Sequence, residues 1–316
     1  MSHSVLEANT QAGVALFGAA DATLSDTEVR LTQAPRAELF GFGVAVYGGR
    51  AELRDLALTA NHAIGLLVHG AGTQADGERV TVRDTRLHAL QDVGAALYVE
   101  QGASAAFRAA SFPLNRRVAV QVSDPGSRLA LAGAIVHGTQ SGAERYGTGF
   151  TVSDGASGEL TDVALVGNLG FAAIATDAGS RLHAAGLVAL DTDGIGLHVD
   201  RGAEAVLSRS VFANSVGFGV LASRPGTRLA LTDTLLREIR ARGRSSDAIG
   251  LAGASGARVE ASRFAIVRSD LFGAFFEDEA VLSQGWITAT RAPHGQPHGS
   301  ALQVQGASAS LTSLAI

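Results

Sequence analysis

Short runs in which apolar and polar residues alternate, each closed by a turn signal, recur along the whole chain. From Gly196 to Phe212 the unit reads glycine, Leu197, His198, Val199, a turn at Gly202, Leu207, a non-apolar residue at 209, and Phe212. The Leu207 position is filled along the chain by Leu24, Leu53, Val82, Phe107, Leu131, Leu160, Ala184, Leu207, Leu231, Ala261, Leu282 and Leu311. Five residues later a second apolar column runs Val29, Leu58, Leu87, Phe112, Val136, Leu165, Ala189, Phe212, Leu236, Ile266, Ile287 and Ile316. Alternation of period two marks strands. Asp124-Pro125-Gly126, Asp177-Ala178-Gly179, Arg224-Pro225-Gly226, Asn61, Asn168 and Asn214 punctuate the runs as turns. The pattern predicts about twelve coils of three short strands, stacked as a solenoid in which each coil buries its apolar columns against its neighbours.

The repeated segments SDPGSRLALAG (123–133), TDAGSRLHAAG (176–186) and SRPGTRLALTD (223–233) resemble the coils of right-handed parallel β-helix proteins, the solenoid family of pectate lyases, polygalacturonases and phage tailspikes. The resemblance covers 13–316 and implies one all-β domain over that span. Residues 1–12 are expected to be a leader or an added segment outside it. It carries fold and little chemistry, since one fold hosts many functions. Solenoids need polar caps, so a first coil starting at Gly13 and an inward last residue, Ile316, predict a piece of a longer chain or ends covered by a partner.

The connection from the second column to the next Val199-type position is short in most coils. It is sixteen or seventeen residues in four, namely Val29 to Val46, Val136 to Val152, Leu236 to Ala252 and Ile287 to Val304. Insertions leaving one corner of a solenoid mark a candidate binding side. They carry His137, Arg145 and Tyr146 in one case and Arg237, Arg240, Arg242 and Arg244 in another, and guanidinium forks suit carboxylates. Tyr98 joins these as a candidate contact from the apolar and mixed outward row Ala45, Leu67, Tyr98, Gln121, Thr151, Ile174, His198, Leu221, Phe275. His294 and His298 would share a helix face, but Pro297 and the flanking glycines oppose a helix.

One segment resembles a catalytic motif. Asp191-Thr192-Asp193-Gly194 is similar to the Asn-Thr-Asp-Gly of polygalacturonases, and the resemblance implies a catalytic role for Asp193, with Asp191 and the outward His198 beside it. That family's further Asp pair, Gly-His-Gly and Arg-Ile-Lys have no counterpart here. Inverting hydrolysis needs two carboxyls about 6.5–9.5 Å apart, whereas an Asp at a corner serves equally as a turn former. Asp26, Asp55 and Asp84, read as one register beside Arg54, Arg83 and Arg108, offer stacked carboxylates to calcium or to the arginines.

Composition narrows the classes. A net charge of -5 without a basic tail gives no nucleic-acid footprint, and the absence of cysteine removes thiol chemistry and disulfides. No apolar run of about 18 residues is present. The expected function is a noncatalytic extracellular or cell-envelope scaffold whose loops bind glycan or protein, needing no organic cofactor. The alternative is a lyase or hydrolase acting on an acidic polysaccharide.

Overall fold

The computed structural model describes all residues except 19–20, 35–39, 89–92, 143–145, 243–247, 289, 291–298 and 306–307. Every pairing between its named strands is parallel, and none of the described residues is helical. The chain divides into two compact units, Met1–Ala164 and Leu165–Ile316, each a right-handed parallel β-helix. In unit 1 the first face is made of Ala12–Phe17, Phe42–Tyr47, Ile64–His69, Ala95–Glu100, Val118–Val122 and Thr148–Val152. In unit 2 it is made of Phe171–Thr176, Ile195–Asp200, Phe218–Ser223, Ile249–Ala254, Phe272–Phe276 and Ser300–Val304. The N-terminal stretch set apart by the sequence is part of the first unit, because Ser2–Glu7 pairs with Asp21–Arg30, Leu6 beside Val29.

Second and third faces meet at a one-residue corner, and its backbone explains the non-apolar position of the repeat. Two residues after each inward Leu207-type position the chain takes a left-handed conformation: Asp26, Asp55, Arg79, Ala109, Gly133 and Asp162 in unit 1, and Gly186, Arg209, Asp233, Arg263, Gln284 and Ser313 in unit 2. That conformation disfavours β-branched residues and suits Asp, Asn and Gly. Because a single residue turns the corner, faces two and three run together as one strand in places, as in Arg228–Ile239 and Arg258–Ser269. A second left-handed corner follows the third face, at Leu31, Ala60, Asp84 and Leu114 in unit 1 and at Asp191, Asn214, Glu238 and Arg268 in unit 2.

The register corrects the sequence reading of the third coil. Leu53 lies beside Gly77, and Gly77 beside Phe107, while Leu58 lies beside Val82. Val82 therefore belongs to the second column, and Leu87 falls beyond it. A Cβ at Gly77 would collide with the Phe107 ring, so the phenyl of the next coil fills the glycine's share of the core. The Val199 column likewise passes through Gly253, not Ala252. With this register a fifth long connection appears, Val82 to Val99, and the long connections in unit 1 alternate with short ones.

Behind the second corner, the interior of unit 1 carries polar side chains with defined partners. Asn61 and Asn115 are buried, and each serves the coil before it. The Thr32 N–H donates to Asn61 Oδ1 at 3.1 Å, and Asn61 Nδ2 donates to the Val29 carbonyl at 3.0 Å. Asn115 repeats this with Thr85 N–H at 3.0 Å and Val82 O at 2.9 Å. Corner groups that no ladder could satisfy are paired in this way. In unit 2 the same interior position holds Asn168, Thr192, Ser215, Ile239 and Ser269.

Candidate functional site

The row before the Val199 column, expected to face outward, is covered in unit 1 at two of its positions, Ala45 and Leu67. Ala45 and Leu67 are buried with Ala63 and Ile64, and Phe40, Val93 and Tyr98 pack over them. Phe40 and Val93 belong to inserted connections, so two insertions are seated on the first face. His88 from the second insertion packs against Phe40 and His62, with ring centroids 5.3 and 5.4 Å apart. Burial, reinforced by His88 and Arg86, holds His62 below its ordinary 6.5.

Beside this covered patch a second outward row remains open. It consists of the residues that follow the inward Val199-type position, and the ladder aligns Phe17, Tyr47, His69 and Glu100 on successive rungs. Phe17 is 69% exposed and stacks on Tyr47 at 5.2 Å with nearly parallel rings. Tyr47 meets His69 edge to face at 5.4 Å, and His69 Nδ1 lies 2.9 Å from Glu100 Oε1. Tyr98 flanks the row with its hydroxyl 3.0 Å from Ser123 Oγ. Burial, together with the Glu100 charge, raises the Tyr47 phenol and pushes the Tyr98 phenol up to about 12, so both stay protonated donors. The sequence reading found Tyr98 and missed Phe17, Tyr47, His69 and Glu100, which lie in the row two residues further along the same strands.

In unit 2 the residues of the resembled motif do not come together. Asp191 is exposed at a left-handed corner (φ 54°) and accepts from Asn214 Nδ2 at 2.9 Å. Asp193 pairs with Arg242, which also donates to the Asp193 carbonyl at 3.0 Å. His198 turns to a different set: Phe171 stacks on its ring at 6.0 Å, and its Nε2 lies 3.0 Å from Ser223 Oγ. Ser223 donates its single proton to Asp200 Oδ1 at 3.0 Å, so His198 Nε2 faces the hydroxyl as a donor. A nucleophile would need the opposite polarity, with imidazole accepting the serine proton and a carboxylate behind the imidazole. Burial holds His198 below its ordinary 6.5.

The remaining candidates are spread out. Arg237 is exposed on a third-face strand, and Arg240 is exposed where its backbone bridges Val216. His137 is exposed at the end of Ile135–His137. Tyr146 is 65% exposed. Arg145, Arg244, His294 and His298 lie outside the described residues. The proposed acidic register is corrected by the pairing: Asp84 turns the other corner, and Asp55 faces Arg79, whose Nε and Nη2 donate to it at 2.6 and 2.8 Å. That hydrogen-bonded guanidinium draws the Asp55 carboxyl below its ordinary 3.8, and no calcium site follows from Asp26, Asp55 and Asp84. Among the described residues no group of three His, Asp or Glu gathers as metal ligands, and no helix is long and apolar enough to cross a membrane.

No protein-family model and no curated protein matches the chain. It is similar to the Dettilon tailspike protein at 9% identity and a TM-score of 0.50, over 95% of this chain and 61% of that one. It is also similar to the catalytic domain of a GH87 α-1,3-glucanase in complex with tetrasaccharides, at 11% identity and a TM-score of 0.51, over 96% of this chain and 64% of that one. The chain thus spans under two thirds of the length of these structures. At such identities the likeness establishes the parallel β-helix fold.

Proposed function

We propose that the chain binds a polysaccharide on the outward side of the first face of unit 1, outside the cell or in the cell envelope, and that it binds without cutting. The observation that carries this reading is the open row Phe17–Tyr47–His69–Glu100, flanked by Tyr98. It offers a phenyl ring with an uncovered face, phenol donors, and a carboxylate with acceptor capacity beyond its bond to His69, the mixture that polyhydroxylated ligands use. Against cutting stands the separation of Asp191, Asp193 and His198, each committed to a different partner.

Cleavage by hydrolase or lyase chemistry is favoured by one observation, the similarity to a glucanase catalytic domain. In that reading Glu100 is the carboxylate on the open row. A panel of neutral and acidic polysaccharides, with and without calcium, separates the readings by affinity electrophoresis and size exclusion. The expected result is retarded migration with chain length unchanged. Shortened chains would replace binding with catalysis, and a panel that neither retards nor shortens would remove carbohydrate from consideration.

A further inference from the structure

We infer that the third face of unit 2 is a self-association surface on which a second copy of the chain docks antiparallel, about a two-fold axis lying between the Leu235 and Ala265 rungs. The outward row of this face is apolar on every rung: Val188, Val211, Leu235, Ala265 and Trp286 lie side by side in the ladder. Trp286 is 57% exposed. A continuous apolar strip of this kind on a sheet face marks an interaction site more strongly than scattered exposed side chains do.

The two corners that border the strip say what fits it. On one border Asp233 is followed one rung later by Arg263, whose Nε and Nη2 donate to it at 2.7 and 2.9 Å. On the other, Glu238 is followed one rung later by Arg268, with Nε and Oε1 2.8 Å apart. Both borders therefore read acid then base, on the same two rungs. A two-fold axis lying in the interface and perpendicular to the coil axis exchanges those rungs. It sets Asp233 against Arg263 of the second copy, and Glu238 against Arg268, on both sides at once. The same operation sets Leu235 over Ala265 and Val211 over Trp286, large against small. Arg237, the charged residue within the face, falls opposite Val267 at the margin, where its stem can cover apolar surface. A two-fold interface requires this self-complementarity, and the order of charges supplies register where the apolar strip alone would slide. A few rungs of a narrow face lie at the low end of stable interface areas, so the dimer dissociates on the order of 10 μM.

Sedimentation equilibrium on the full chain tests this with paired charge reversals. Asp233→Arg leaves a chain with two arginines at the border, and Arg263→Asp leaves one with two aspartates. Each alone should dissociate at least tenfold more readily than the parent. Mixed in equal amounts they should form a heterodimer of parental affinity, although the pair within each chain is still broken. Leu235→Arg should be monomeric, and thermal melts report whether each variant is folded. A monomeric parent at several hundred micromolar, a trimer, a dimer indifferent to Leu235→Arg, or a mixture that fails to associate while both variants are folded would each overturn the inference.

Discussion

The first faces of the two units carry the same outward row and spend it differently. In unit 1 it presents Phe17, Tyr47, His69 and Glu100, linked pairwise by ring contacts and one hydrogen bond. In unit 2 it presents Thr176, Asp200, Ser223, Ala254, Glu277 and Gln305. There Asp200 is closed in: it takes the Ser223 proton and faces Arg224 at 3.5 Å and Arg201 at 3.7 Å, leaving its side chain 10% exposed. Glu277 is exposed between Ala254 and Gln305, with no aromatic ring beside it in the row, and accepts from the Ser255 N–H at 3.2 Å. Polar groups that satisfy one another stabilise a corner, whereas groups left with spare capacity beside an open ring make a surface that can take a ligand.

The largest expected difference lies inside the coils. Asn115→Ala in unit 1 strands the buried Thr85 N–H and Val82 carbonyl. Each stranded group costs about 1–3 kcal/mol, and the substitution about 2–5 kcal/mol in all. Ser215→Ala at the equivalent place in unit 2 should cost about 1 kcal/mol or less, because the neighbouring rung already has Ile239 there. Chemical denaturation of both variants checks the contrast, and equal losses would break it.

Binding should divide in the same way. Glu100→Ala and Phe17→Ala are expected to weaken polysaccharide retention tenfold or more, about 1.4 kcal/mol, while His198→Ala leaves it unchanged. Affinity electrophoresis on the best ligand of the panel decides. An effect from His198 alone would move the site to unit 2.

Strand alternation, the non-apolar corner and the parallel β-helix were legible because each follows from a local rule: period two for strands, and a left-handed residue wherever one residue turns the chain. The register of the third coil was not legible. Matching coils by apolar identity selects Val82, whereas the true inward residue is Gly77, and the volume it lacks comes from Phe107 in the following coil. Gly253 hides the Val199 column in the same way, with the Phe276 ring of the following coil packed close beside it. One misplaced coil concealed the fifth long connection and set Asp84 in the wrong row. At the site, Tyr98 stood out as an aromatic in a mixed row, but the chemistry lay two residues later, where Tyr47, His69 and Glu100 become neighbours only once the register is known.

Acid should affect both units, through one histidine in each. His62 and His198 are held below their ordinary 6.5 by burial. As pH falls through 6.5 the unfolded chain takes up these protons before the folded chain does, so stability is full above about 6.5 and declines below it. The surroundings differ: His88 and Arg86 oppose the charge on His62, whereas Asp200 favours it on His198 against Arg224 and Arg201. Melting temperatures measured from pH 8 to 5 should fall on the acid side, and His62→Ala and His198→Ala should each flatten the decline. A profile independent of pH would show that neither ring is dry in solution.

The smallest expected effect falls on Asp191, which the resembled motif set beside Asp193. Asp191 sits at φ 54° and takes one hydrogen bond from Asn214, which occupies the same corner on the next rung at φ 58°. Asparagine adopts this conformation as readily as aspartate does. An amide at 191 keeps an acceptor oxygen for the Asn214 Nδ2, so Asp191→Asn should change stability by no more than about 0.5 kcal/mol and leave polysaccharide retention as it was. A catalytic carboxylate could not survive that exchange, since the amide neither ionises nor carries a transferable proton at neutral pH. If the parent shortens any polysaccharide and Asp191→Asn abolishes the shortening in a folded protein, the corner in unit 2 is the reactive site, and the contrast between the two first faces runs the other way.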